Sequence, residues 1–502
     1  MLALLPLDNR PCNTRFPWQI AQIGGDELLL PPATLLGRFN TPGEPLALAT
    51  WLEELPPIEA LVVSVDMLAY GGLVASRRPR TPERQALEHL EALRRFRAAR
   101  PETPIYAFNI LMRLAITMDG DAAVANYYNI MRYARLVDEA ERFNSEYLRD
   151  ELHSVRAQLP PDVLNEYLGA RARNHAVNLK MLTWLQEGLF DFLLITQEDA
   201  TEFGLHRREQ DALLQRAAEL GVQEKMSLHP GADEAALTLL ARHWDTGVNF
   251  WVHPSSAENM RRVAEFEDRP YEDALRQHIA AMRGCWVEDR DAADWELWVN
   301  APVGGSQAQE PPEARSARTT LVTTFARGIS DALAAGRRIA LCDVGFPNGA
   351  DNLLMDELEK RGVLGKISVF GGWNTAGNTT GTVLAQCAAL KRAEAGSNAE
   401  EAAQLSRNFL FERLVDDWFY QARARARIEK SARELGISPL NMNNVHGPLP
   451  LSEQVEALTR RELKGFAQLL AMRHFGTKLE RCEITLPWSR TFEADVRASL
   501  QN

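Results

Sequence analysis

Cysteine is scarce in this chain. Its 502 residues include only Cys12, Cys285, Cys342, Cys387 and Cys482, scattered and never spaced C-x-x-C. That pattern argues against a disulfide framework or a thiolate zinc site and fits a reducing cytoplasm. Positive charge is also short: 56 Lys and Arg against 68 Asp and Glu leave a net charge of −12. A general nucleic-acid or anionic-membrane binder needs a basic field to release counterions, so neither partner is expected. No uncharged apolar run approaches the ~18 residues of a membrane helix. The opening MLALLPLDNRP has no basic segment ahead of its short apolar stretch and reads as a first strand, not a signal peptide. The expectation is a soluble cytoplasmic protein, with a homo-oligomer left open.

Signature motifs are missing as well. There is no H-E-x-x-H, H-x-H or calcium-loop pattern, so no metal is expected. The G-x-S-x-G of serine hydrolases is absent. The glycine-rich segment 369–386 is neither G-x-G-x-x-G nor a Walker loop with its lysine, so no nucleotide cofactor is expected. What remains is an ordinary globular composition, 45% hydrophobic and 25% charged. A chain of this length and apolarity buries a full core, which sets aside disordered and fibrous classes.

Short apolar runs recur at 2–8, 27–32, 60–66, 104–110, 190–199, 225–233, 249–254, 295–302, 338–345 and 366–374. Between most of them lie stretches of helical period, such as 81–100, 207–221 and 350–362. Apolar strands alternating with amphipathic helices give an α/β class: a (β/α)-barrel-like parallel sheet covered by helices. The expected organisation is a barrel-like domain over 1–382, with a helical insertion at about 119–189, then a mainly helical region over 383–502. Its last stretch, 484–500, reads as one strand and a closing helix. The strand candidates outnumber the eight of one barrel, so two α/β units remain an alternative.

In parallel α/β folds the reactive groups sit where strands end. The polar residues there are Asp8, Asp66, Asn109, Glu198, Asp199, His229, Asp233, Glu234, His253, Asn300, Asp343, Trp373 and Asn374. TQEDATEFG places Glu198 and Asp199 side by side, where strand alternation would turn only one toward a cleft. Its bland reading is a helix-capping acid paired with Arg207 or Arg208. HPGADE follows one unit later with Asp233 and Glu234, which helix capping also explains. Neighbouring parallel strands lie ~4.8 Å apart, so acids on them reach the separations of ~5–9 Å used in glycoside hydrolysis. GGWNTAGNTTG adds Trp373, Asn374 and Asn378, suited to stacking on a sugar and bonding its hydroxyls. Asp8 and Arg10 in PLDNRP are further hydroxyl binders, with an internal Asp–Arg pair as the equal alternative.

PLDNRP, QEDATEFGLHRREQ, PGADE and GGWNTAGNTTGT together resemble a bacterial protein family of about 500 residues known only as a conserved domain of unknown function. The resemblance runs from Asp8 to the closing FEAD. It implies an Asp-Asp pair where this chain has Glu198–Asp199, favouring Asp199 as the working acid. A looser, fold-level likeness is to barrel glycosidases, including those that use the substrate's acetamido group.

The expected activity is therefore hydrolysis of a small or terminal sugar, such as an N-acetylamino sugar. Glu198 or Asp199 would be the acid, and Asp233 or Glu234 the base, nucleophile or orienter. Asp8, Arg10, Asp66, Asn109, His229, Asn300, Asp343, Trp373, Asn374 and Asn378 would bind the substrate. The alternatives are a metal-dependent hydrolase or lyase using His229, Asp233 and Asp343, and a non-catalytic sugar-binding protein.

Overall fold

The computed structural model describes residues 1–396, 398–443 and 450–501. The α/β class is as read, and its parallel strands are shared between two sheets in two compact units. The first unit comprises Met1–Trp18, Asp26–His243 and Phe266–Asp268; the second comprises Gln19–Gly25, Trp244–Glu265 and Arg269–Asn502.

The first unit is built on β1 (Leu2–Leu5), β2 (Leu28–Leu29), β3 (Ala60–Ser64), β4 (Ile105–Leu111), β5 (Phe192–Gln197) and β6 (Met226–Pro230). They lie in the order β2-β1-β3-β4-β5-β6, every neighbouring pair parallel. β1, β3 and β5 are buried at every position because helices cover both faces, which is why they read as unbroken apolar runs. Helix Glu83–Ala99 shows the matching pattern, burying Ala86, Leu90, Leu93 and Phe96 along one stripe. These pack with Trp184 and Phe190 into the core under the sheet. The expected insertion lies between β4 and β5 as helices Val124–Arg142, Glu146–Gln158 and Pro161–Gln186. It has its own small core of Ile130, Tyr133, Leu136, Leu164 and Tyr167.

The second unit carries β7 (Asn249–Pro254), β8 (Cys285–Trp286), β9 (Trp295–Asn300), β10 (Ile339–Asp343) and β11 (Val369–Gly371). These form a parallel sheet in the order β11-β10-β9-β7-β8. The boundary expected at 382 falls inside helix Ala376–Glu394, whose residues 376–390 are all buried, so the chain is not divided there. Helices Ala399–Arg413, Arg425–Glu434 and Pro450–His474 follow, making the C-terminal region mainly helical as expected. Between the first two, Leu414–Ala424 is wound as a π-helix. The closing helix expected within 484–500 is instead a strand: β12 (Leu479–Thr485) and β13 (Asp495–Leu500) pair antiparallel. Val496, Ala498 and Leu500 alternate into the core, a period of two that a helix would not give.

Candidate functional site

Within the first unit the carboxyl ends of the strands carry most of the expected residues. After β1 the chain turns through DNRPCN, and Asp8 is filled from within that loop. Its Oδ1 accepts from the Arg10 N–H and from Asn13 Nδ2, both at 2.9 Å. Its Oδ2 accepts from Arg10 Nε at 2.9 Å and Nη2 at 2.7 Å. Arg10 then grips Asp233 beyond β6, Nη1 to Oδ2 at 3.0 Å and Nη2 to Oδ1 at 2.5 Å, with Asn13 Nδ2 adding a bond at 3.0 Å. All four side chains are buried. Burial pushes the Asp233 carboxyl above its ordinary value, Arg10 pulls against that rise, and Asp8 adds to it. The internal Asp–Arg alternative is thus the one realised. Asp8, Arg10 and Asp233 hold the ends of β1 and β6 together, and Asp8 has no lone pair left for a substrate hydroxyl.

β5 ends at Gln197, so strict alternation stops before the acidic pair and both acids reach one arginine. Arg113 donates to Asp199 and lies 3.8 Å from Glu198 Oε1. Arg77 donates to the same Glu198 oxygen and, at 2.9 Å, to Thr117 Oγ1. The partners are therefore Arg77 and Arg113, while Arg208 pairs with Glu141. Burial opposes the charge of Arg113, but Asp199 and Glu198 outweigh it and hold the guanidinium protonated. Glu198 is buried, whereas the Asp199 side chain is 26% exposed, so the cluster opens to solvent at Asp199.

The turn after β6 places the second acid. Gly231 donates its N–H to Gln197 O at 2.9 Å, extending the β5–β6 ladder to the residue beside Glu198. Gly231 has φ +135°, and a Cβ there would lie 1.9 Å from Glu234 Oε1. Glycine is what lets the Glu234 carboxyl fold back beneath the turn, where its Oε2 accepts the Ala232 N–H at 2.8 Å. Burial raises the Glu234 carboxyl to about 8 against that hydrogen bond, so it keeps its proton at neutral pH. His229 is equally buried, with a ring nitrogen within 4.8 Å of the Glu234 carboxylate.

Two oxygens stand out. Glu198 Oε2 and Glu234 Oε1 are buried and have no hydrogen-bond partner, and the Nε atoms of Arg77 and Arg113 are buried donors in the same condition. The spare Glu198 acceptor, beside the spare donors of Arg77 and Arg113, is what a hydroxyl group, which does both, can satisfy. Asp66, just past β3, accepts the Ile110 N–H at 2.8 Å; burial lifts it to about 7, and the Glu198 charge adds to the rise. Asn109 is turned to the insertion, donating to Asn178 at 2.9 Å, and does not join this cluster.

The remaining expected residues lie in the second unit. Asn300 donates to Asp343 at 2.8 Å and to Asp351 at 3.2 Å, and Asp351 is paired with Arg318, which also holds Glu310. Burial and the Asp351 charge raise Asp343 above its ordinary value. Its oxygens also accept the N–H groups of Gly345 and Asp351, so it fixes the 343–351 loop. His253 packs tilted against Trp298, ring centres 4.2 Å apart, and stacks on Trp251 at 5.3 Å, as a packing residue. The GGWN turn is set by its backbone: Thr379 Oγ1 accepts the Trp373 N–H at 2.9 Å and donates to Trp373 O at 2.6 Å. Asn374 sits at φ +53° and accepts from Asn348 N, while Asn378 is buried in the first turn of the next helix. Gly372 N–H is bonded by Asp417 Oδ2 at 3.0 Å.

Asn13, Arg113 and Asp417 are partners that reading strand ends for acids, amides and histidines passes over. Arg113 was findable, two residues past β4. The others depend on contacts far along the chain. For a metal, Asp233 is taken by Arg10 and Asp343 by its own loop; among the described residues His229 and Glu234 are ligand types that meet within one unit.

No curated protein and no solved structure matches the chain significantly. A family model described as a protein of unknown function, DUF4127, matches residues 2–497. That span takes in both sheets and every strand-end acid described above, and on it the chain belongs to the DUF4127 family.

Proposed function

We propose that this protein is a glycoside hydrolase acting on a small or terminal sugar, with Glu234 as proton donor and Glu198 as the carboxylate partner. One observation carries the reading. At the ends of neighbouring strands β5 and β6, two buried acids each leave one oxygen without a partner, Glu198 Oε2 and Glu234 Oε1. Their surroundings differ: Arg77 pairs with Glu198, while burial keeps Glu234 protonated to about 8. Two acids with contrasting environments are the usual basis for dividing acid and base roles. Glu234 gives its proton to the leaving glycosidic oxygen, and Glu198 attacks the anomeric carbon. Water then releases the sugar, with Glu234 as base. This is the retaining course, which uses carboxyls ~5–5.5 Å apart. Arg77 and Arg113 have Nε donors to spare for sugar hydroxyls, and substrate enters past Asp199. The five cysteines form no disulfide, as action in the cytoplasm would favour.

The test is a panel of aryl glycosides, N-acetylhexosaminides included, with wild type, Glu198→Gln and Glu234→Gln. Turnover by wild type that falls about 10³-fold or more in both variants supports the reading. No turnover on any member, or turnover unchanged in the variants, overturns it; a sugar bound without being consumed points to a binding protein. A second reading draws on the nearness of His229 to Glu234: a divalent cation held there would activate water instead. Metal analysis and chelation separate it from the first.

A further inference from the structure

The second unit has a cavity at the edge of its sheet where the strands begin, opposite the edge carrying Asn300 and Asp343. Trp295 opens β9, Arg338 directly precedes β10, and Ser368 directly precedes β11. The cavity measures about 350 Å³, within the range of small-molecule sites. Its wall is donor-rich. Arg338, Lys366 and Arg407 line it, and the single acid on the lining, Glu394, is bonded by Arg338. Arg338 also stacks on the Trp295 ring at 3.9 Å. Trp295 is 1% exposed, and its indole N–H is buried without an acceptor. The other walls are apolar, from Leu390, Leu410 and several alanines.

We propose that this cavity is a binding site for a small anion with an apolar body, an aromatic or branched carboxylate or phosphate monoester. Lys366 and Arg407 hold the anionic oxygens, and the apolar body lies against Leu390 and Leu410. Arg407 is fixed for this by its bond to the Phe475 carbonyl at 2.6 Å. The site is separate from the strand-end acids, so it stands or falls independently of the hydrolase reading.

Calorimetric titration of the full chain with phenyl phosphate, benzoate, inorganic phosphate and benzyl alcohol tests it. Phenyl phosphate or benzoate should bind at one site, with inorganic phosphate about tenfold weaker or more and benzyl alcohol not at all. Lys366→Glu reverses a charge on an exposed side chain, and Ala403→Phe fills the mouth at an exposed position. Each should weaken binding about tenfold or more with Tm unchanged. No saturable binding of either aromatic anion overturns the proposal, as does wild-type affinity in both variants. Equal binding of inorganic phosphate removes the apolar half and so overturns the ligand class.

Discussion

Arg10 holds Asp233 through two hydrogen bonds, of 3.0 and 2.5 Å, while its other donors hold Asp8. One buried cation thus serves two buried carboxylates drawn from opposite ends of the first unit's sequence. Removing it is costlier than removing either acid, because both charges are then left in a medium that cannot solvate them. Arg10→Met is expected to lose about 3–5 kcal/mol at neutral pH, read by urea unfolding. The sign of its pH response follows. Without Arg10 nothing opposes the rise that burial imposes on Asp233, so the variant regains stability as pH falls and loses it as pH rises. A pH-independent loss would show that the arginine acts through packing alone.

Glu234 gives a second pH test. Its folded value, about 8, lies above the unfolded value of 4.5. Below 4.5 both states are protonated and nothing is lost. Between 4.5 and 8 the unfolded chain sheds the proton while the folded chain retains it, so stability declines as pH rises, by about 1.4 kcal/mol per unit at most. Glu234→Gln removes this decline, so the variant should equal wild type near pH 5 and exceed it near pH 8. Activity should also fall as pH rises through about 8, when the donor loses its proton. Parallel unfolding curves for the two proteins at both pH values would contradict the buried neutral acid.

The clearest strands were legible because β1, β3 and β5 are buried at every position and so read as apolar runs, as in ALVVS and FLLIT. The candidate acids were legible because they stand directly after those runs. What the pattern could not supply was their state. Asp8 and Asp233 look as available as Glu198 and Glu234 in sequence, yet Arg10, 223 positions from Asp233, takes up the first two. The pairing of Glu198 with Arg77 is equally non-local, 121 positions apart. The final strand was misread because RASL alternates its burial over too few residues to reveal a period.

Gly231 is where local sequence and site chemistry meet. At φ +135°, with the Glu234 carboxyl oxygen 1.9 Å from where a Cβ would stand, alanine is excluded by both backbone and space. Gly231→Ala should cost about 1–3 kcal/mol and displace the carboxyl from its pocket. Its activity should drop as far as that of Glu234→Gln, with the alkaline limb moved toward the ordinary glutamate range. Loss of stability with an unmoved pH profile would mean that the acid does not depend on the turn.

Asp417 makes the corresponding test in the second unit. The π-helical winding over Leu414–Ala424 carries its carboxylate to two partners, the Gly372 N–H at 3.0 Å and Arg413 Nη1 at 2.7 Å. Burial raises this carboxyl while Arg413 pulls it down, and Asp416 adds to the rise. Asp417→Ala leaves a buried arginine short of a partner and a backbone donor unmet at the head of the GGWN turn. The expected cost is about 2–4 kcal/mol. Amide exchange should locate it: protection should fall across residues 369–374, where the lost bond anchors the turn, and persist in β5. Uniform loss across both sheets would mean that Asp417 supports the whole chain rather than this turn.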